Sequence, residues 1–152
     1  MAEGQTVRFT VGVFQDVVSA EKGVEALKRQ GLPSESLTIL GKESPELAGF
    51  IERAIGGPPE TIEVHGLGGV LARGPLVEAL RGGDGGLVQL GVGGAMRRAG
   101  FQPHDGRIYA ALTARGGILV GVRSESRAAD ALSVLLCYGG GNAAIGAWTG
   151  RV

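Results

Sequence analysis

The stretch that decides the fold is residues 117–148, which read GILVGVRSESRAADALSVLLCYGGGNAAIGAW. Its aliphatic, β-branched beginning predicts a strand, and Ser124-Glu125-Ser126 is typical of a helix cap. Apolar residues then recur at helical spacing until the triple glycine Gly139–Gly141: Ala128, Ala131, Leu132, Leu135 and Leu136. Residues 143–149 are again apolar and predict a returning strand. The stretch therefore predicts one complete strand–helix–strand unit.

A similar unit lies near the N-terminus. The matches are Val11-Gly12-Val13 with Val120-Gly121-Val122, Asp16 with Glu125, and Gly31 with Gly140, all at one constant offset. In this N-terminal unit, residues 7–14 predict a strand and an amphipathic helix follows Asp16. Leu37-Thr-Ile-Leu40 predicts its second strand. We therefore expect two βαβ units with right-handed crossovers, related by pseudo-symmetry.

The middle of the chain carries clear start and stop signals. Ser44-Pro45-Glu46 predicts a helix start, and Gly56-Gly-Pro-Pro59 ends that helix. Residues 61–64 and 70–72, on either side of Gly66–Gly69, predict a hairpin. Three further helices are predicted, one opened by Pro75, one with Leu87, Leu90, Gly91, Gly94 and Ala95 on one side, and one opened by Pro103.

Together these elements predict an α+β fold of ferredoxin-like type, with the helices on one face of an antiparallel sheet. The expected organisation is a single domain over residues 1–152. It consists of a first βαβ unit (8–41), a glycine-rich insertion with helices and a hairpin (44–115) and a second βαβ unit (117–149).

Composition narrows the classes of function. Fifteen basic residues balance fifteen acidic ones, so no general positive field favours nucleic acid. The single cysteine excludes an intrachain disulfide, and no signal-like leader precedes Arg8, so we expect a cytoplasmic protein. Residues 131–150 are uncharged, but the glycines at 139–141 would break a membrane-spanning helix, so no membrane partner is expected.

No catalytic, metal-binding or cofactor-binding set stands out. His65 and His104 lack metal-ligand spacing with Cys137 or with carboxylates, and we interpret them as strand-end or surface imidazoles. Cys137 has no base or cation nearby in sequence, and we interpret it as a small buried apolar residue. We therefore expect a protein that is not an enzyme.

Glycine loops and aromatic residues are the remaining candidates for binding. Gly82-Gly83-Asp84-Gly85-Gly86 lacks the lysine of a P-loop, and Asp84 would repel a phosphate, so turn and packing roles are favoured. Tyr138 and Trp148 are typical of residues that complete a core or a subunit contact.

The chain resembles the bacterial general stress protein, or heat-induced stress protein, domain family. The likeness rests on Val11-Gly-Val-Phe followed by an acid, Gly31-Leu-Pro, Leu37-Thr-Ile-Leu-Gly41, Gly66-Leu-Gly-Gly-Val-Leu-Ala-Arg-Gly-Pro-Leu76 and Arg115-Gly-Gly-Ile-Leu-Val-Gly-Val122. In relatives the glycine-rich middle looks like a membrane-seeking glycine zipper. Here four charged residues interrupt it, so membrane insertion is not expected: Arg73, Glu78, Arg81 and Asp84.

The resemblance implies a stress-associated protein and no transferable site residues, because the family has no established activity. Our first hypothesis is a non-enzymatic protein that acts by self-association or partner binding. The alternative is a regulatory module with a small ligand at Gly66–Gly69 or Gly82–Gly86, and a small enzyme using His65 or His104 is a third. We also expect a homodimer or larger assembly through the uncharged strand 143–149, with Trp148 as its anchor.

Overall fold

The computed structural model of the chain describes residues 9–81, 86–98, 103–123 and 128–137. Five strands alternate with six helices in these ranges. The strands are β1 (Phe9–Phe14), β2 (Leu37–Lys42), β3 (Glu60–Val64), β4 (Gly68–Arg73) and β5 (Ile118–Arg123). The helices are α1 (Val17–Arg29), α2 (Pro45–Ile55), α3 (Pro75–Arg81), α4 (Gly86–Arg98), α5 (Pro103–Ala114) and α6 (Ala128–Cys137). The fold is mixed α+β.

Local sequence signals set the helix boundaries as expected. The Asp16 carboxylate accepts a 2.8 Å hydrogen bond from the Ser19 N–H and caps α1. The Ser44 hydroxyl accepts from the Leu47 N–H at 3.1 Å, and Pro45 occupies the first turn of α2. Gly56 ends α2 with a φ of 92°, in the left-handed region that glycine enters without strain. The predicted starts of both helices are confirmed.

The strands form one antiparallel sheet in the order β1-β5-β2-β4-β3. β5 lies between β1 and β2, pairing Val13 with Leu119 on one side and Ile39 with Val120 on the other. β1 and β2 therefore run parallel to each other with one strand between them. The predicted hairpin is confirmed as β3 and β4, and it extends the sheet beyond β2.

Helices cover both faces of this sheet. The helices of the two expected βαβ units, α1 and α6, lie on the same face as expected, and helices of the glycine-rich middle cover the other face. Buried residues of α1, α2 and α6 pack on one face with Ile39 and Val120. Buried residues of α3, α4 and α5 pack on the other face with Val13 and Leu119. The glycine-rich middle is thus not an excursion from the domain, because its helices form a complete second layer. Both faces of β5 are buried as a result.

The constant offset between the two Val-Gly-Val motifs does not mark equivalent positions in the sheet. Val11 faces the layer of α3, α4 and α5, whereas Val120 and Val122 face the layer of α1, α2 and α6. Val11 pairs directly with Gly121, and paired residues of neighbouring strands point to the same face. Because side chains alternate along a strand, Val120 points to the opposite face. The two motifs therefore do not occupy equivalent positions in the sheet. The matches at Glu125 and Gly140 lie outside the described residues.

Helix α4 is broken at Gly91, which has φ 77° and ψ −179°. The break turns the second half of the helix, so the buried residues include Leu87, Val92 and Met96, while Leu90 stays 48% exposed. Leu87 and Leu90, which the sequence pattern placed on one side of the helix, therefore differ in burial. Gly91 is required here because a Cβ would lie 2.7 Å from the carbonyl oxygen of His65.

Candidate functional site

The two histidines and the cysteine do not form a common site in the described residues. His65 is exposed in the β3–β4 hairpin, and its backbone N–H donates to the Val88 carbonyl at 3.0 Å. His104 lies in α5, and its side chain is outside the described set. Cys137 is exposed at the end of α6, which corrects its interpretation as a buried residue. No group of three metal-ligating side chains occurs within the described ranges.

The hairpin loop Gly66–Gly69 is shaped by backbone pairing. The Leu67 N–H donates to the Val64 carbonyl at 2.9 Å, and Gly66 and Gly68 have φ of 85° and 83°. A Cβ on Gly69 would lie 3.0 Å from the Glu43 carboxylate. An acidic neighbour disfavours a bound phosphate, so the turn role predicted for this loop fits its surroundings. The other candidates, residues 82–85, the cap 124–126, Tyr138 and Trp148, lie outside the described residues.

A cleft of about 490 Å³ opens where β2 begins and β4 ends. Its apolar lining consists of Ile55 and Pro75, which are partly exposed, and of Leu37, Ala72 and Val77, which are buried behind them. Polar groups line it as well, and they are Ser34, Glu35, Glu60, Arg73 and Glu78. The volume falls in the range of small-molecule sites, roughly 300–1,000 Å³. Sequence reasoning missed this cleft because its residues come from six separate elements, namely the 3₁₀ turn Ser34–Ser36, the helices α2 and α3, and the strands β2, β3 and β4.

The inner end of the cleft is fixed by a tight junction between β2 and α3. The buried Thr38 hydroxyl accepts a 2.9 Å hydrogen bond from the Leu76 N–H in the first turn of α3. Gly74 precedes the helix with φ 128°, and a Cβ there would overlap the Leu37 carbonyl oxygen. Only glycine fits this position, because both the conformation and the space exclude a side chain. The junction holds the start of α3 against the sheet.

Arginine side chains organise the rim of the cleft. Arg81 Nη2 lies 2.6 Å from Glu60 Oε1, and Arg81 Nη1 lies 3.8 Å from Glu78 Oε2. The side-chain contact with Glu60 raises the pKa of Arg81 above its ordinary value, and the guanidinium therefore stays charged. Because Glu60 and Glu78 are more than half exposed, these pairs contribute little stability.

Arg73 is held in a defined position beside the same cleft. Its Nη1 donates to the Pro58 carbonyl at 3.0 Å, and its guanidinium lies against Gly57, where a Cβ would be 2.8 Å from Nη2. Arg73 is exposed, and the other N–H groups of its guanidinium are chemically able to donate. The cleft thus presents a positioned cation next to carboxylates and an apolar floor.

A second surface lies at the β3 edge of the sheet, which is the last strand among the described residues on that side. The His65 N–H points away from β4 toward Val88, so the backbone groups of Glu63 and Thr61 face outward too, by the alternation of strand geometry. Val88 and Leu90, 43% and 48% exposed, lie in the segment that contacts this strand end. Sequence analysis did not single out Val88 and made no prediction about the exposure of Leu90.

Within the described ranges, no helix has the length and hydrophobicity needed to cross a membrane. No protein-family model, no curated protein and no solved structure matches this chain.

Proposed function

We propose that the protein is a non-enzymatic, stress-associated protein of the cytoplasm that acts by self-association. The observation that carries this proposal is the exposure of Val88 and Leu90 beside the outward edge of β3. Large exposed apolar side chains next to unpaired strand groups are typical of a contact surface. The stress association rests on the family resemblance, and a rise in the protein's abundance after heat shock of its host would support it.

The β3 edge is compatible with a second copy of the same chain. An antiparallel, two-fold pairing centred on Ile62 sets Glu63 of one copy opposite Thr61 of the other. No two like charges are then directly opposite, and the Ile62 side chains meet on the apolar face. Such an edge-to-edge contact extends the sheet through the interface. The strand 143–149, which first motivated a homodimer, lies outside the described residues.

Light scattering coupled to size exclusion tests the self-association. We expect a mass above that of one chain at about 100 µM and a return to the monomer mass for Leu90→Lys, as expected for a micromolar contact. Val18→Lys is the matched control, because Val18 is 55% exposed on α1, away from this edge. A monomer mass for the unchanged protein over this range would refute self-association. If Leu90→Lys and Val18→Lys dissociate the assembly equally, the contact does not lie at the β3 edge.

We further propose that the central strands have ferredoxin-like topology. The antiparallel order β1-β5-β2 supports this arrangement, since a ferredoxin-like sheet needs one more strand beside β1. Residues 143–149 are our candidate for that strand. Hydrogen exchange tests this placement, because removal of residues 139–152 should then accelerate exchange at the β1 amides and leave those of β4 unchanged. Unchanged exchange in β1 would contradict it.

A regulatory module that binds a small ligand is the second candidate function, and the 490 Å³ cleft is the observation that favours it. The ligand would then lie against Glu35, Arg73 and Glu78, and not against Gly66–Gly69 or Gly82–Gly86, the two loops first expected to hold it. A thermal-shift screen over nucleotides, amino acids and amines tests this function. No stabilisation by any compound would argue against this function. Stabilisation that persists after substitution of Glu35, Arg73 or Glu78 would show that the ligand binds outside the cleft.

A further inference from the structure

We propose that the cleft between β2, β4 and α3 binds an apolar α-amino acid, with the carboxylate at Arg73, the ammonium at Glu35 and the side chain over the apolar floor. The inference rests on the second candidate function, ligand binding, and names the ligand class. It follows from the charges that the cleft leaves available, from the way one of them is held, and from the apolar residues that line the same cleft.

Arg73 is the group suited to the carboxylate. The Pro58 carbonyl and the Gly57 backbone fix the position of its guanidinium at the rim, so little side-chain freedom remains to be lost on binding. A guanidinium presents parallel N–H donors that match the two oxygens of a carboxylate. Arg81 is less suited, because Glu60 and Glu78 already neutralise it.

Glu35 is the group suited to the ammonium. It lies in the short 3₁₀ turn Ser34–Ser36 that leads into β2, and this turn is fixed by a 2.7 Å hydrogen bond from the Ser36 hydroxyl to the Pro33 carbonyl. Glu60 and Glu78 face Arg81, whereas Glu35 is exposed and forms no ion pair with a described residue. A ligand ammonium would supply that missing charge partner.

The space between these groups favours an aliphatic side chain. Ile55 and Pro75 line the cleft and are partly exposed, so they offer apolar surface to a ligand, and the buried residues Leu37, Ala72 and Val77 lie behind it. The volume of about 490 Å³ exceeds that of one amino acid, and the cleft is not sealed. We therefore expect binding in the millimolar range, as for a small ligand with few buried atoms. A wholly anionic or wholly cationic ligand would use only one of the two charged groups.

The first experiment titrates ¹⁵N-labelled protein with L-leucine and follows the amide resonances. Two analogues separate the head groups, 4-methylpentanoate without the ammonium and 3-methylbutylamine without the carboxylate. We expect L-leucine to shift the Gly74 and Glu78 amides and each analogue to bind about tenfold more weakly, the loss expected for one charge-assisted hydrogen bond. No shift at these amides up to about 10 mM L-leucine, enough to detect a Kd near 1 mM, would overturn the proposal.

The second experiment uses charge-removing variants. Glu35→Gln should weaken the binding of L-leucine about tenfold and leave the binding of 4-methylpentanoate unchanged. Arg73→Gln should also weaken the binding of L-leucine about tenfold, but it should leave the binding of 3-methylbutylamine unchanged. Glu25→Gln, an exposed change on α1, is the control and should alter neither. If Arg73→Gln fails to fold, the affinity of Glu35→Gln for L-leucine and the affinities of the unchanged protein for the two analogues still test the proposal. Affinity for L-leucine that is insensitive to Glu35→Gln, or an analogue that binds as tightly, overturns the proposal.

These outcomes are separable from those of the proposed functions. A compound of another class that shifts the Gly74 and Glu78 amides would retain the ligand-binding module and overturn the amino-acid inference. The mass measurements on Leu90→Lys are independent of the cleft, because Leu90 lies in α4 and does not line it.

Discussion

Replacement of Thr38 by valine tests whether the junction between β2 and α3 depends on a hydrogen bond or on shape. Valine has nearly the same shape as threonine but removes the acceptor of the 2.9 Å bond from the Leu76 N–H. Thr38 is fully buried, and the close approach of Gly74 leaves no room for a bridging water. An unsatisfied buried N–H costs about 1–3 kcal/mol, and the extra buried methyl returns up to about 0.8 kcal/mol.

We therefore expect Thr38→Val to lower the free energy of unfolding by about 1–2 kcal/mol, which in urea moves the midpoint down by roughly 1 M. Thr38→Ser is the matched control, because it retains the acceptor and loses one methyl group, at a cost of about 1 kcal/mol. The hydrogen exchange of the Leu76 amide separates the two variants and should accelerate only in Thr38→Val. A valine variant as stable as the unchanged protein, with the Leu76 amide still protected, would refute the hydrogen-bond account.

Three further substitutions test packing and capping, each by urea unfolding. Gly49→Ala should raise stability by about 0.5–1 kcal/mol, because it removes a flexible residue from α2 and its only close neighbour is the movable Arg53 side chain. Gly23→Ala should instead destabilise, since a Cβ there lies 2.7 Å from the ring of the buried Phe14; a gain in stability would show that the ring can move. Ser44→Ala should cost about 1 kcal/mol through loss of its cap on α2, and an unchanged midpoint would contradict that.

The features that could be predicted from the sequence are those fixed within a few neighbouring residues. The caps at Asp16 and Ser44 and the hairpin around Gly66 depend on side chains and turns three or four positions apart. Hydrophobic periodicity predicted most of the strands and helices for the same reason. These signals do not depend on the final packing of the chain.

The errors all concern relations between distant segments. The break in α4 at Gly91 lies against the carbonyl of His65, which belongs to the β3–β4 hairpin. The sequence around Gly91 alone does not predict this contact. Repeat matching aligned Val11 with Val120 by residue identity, but the pairing of their strands decides which face each side chain takes. The cleft and the exposed β3 edge were missed because each is assembled from segments far apart in the sequence.

The position of β5 has a consequence for the order in which the protein can fold during synthesis. β1 and β2 are made early, but they do not pair with each other, because the strand between them is residues 118–123. Until that segment leaves the ribosome, the described strands can pair only as the three-stranded part β2-β4-β3, and β1 has no partner among them. The late arrival of a central strand therefore leaves the facing edges of β1 and β2 unpaired until residues 118–123 are made, and exposed strand edges of this kind favour aggregation of a nascent chain.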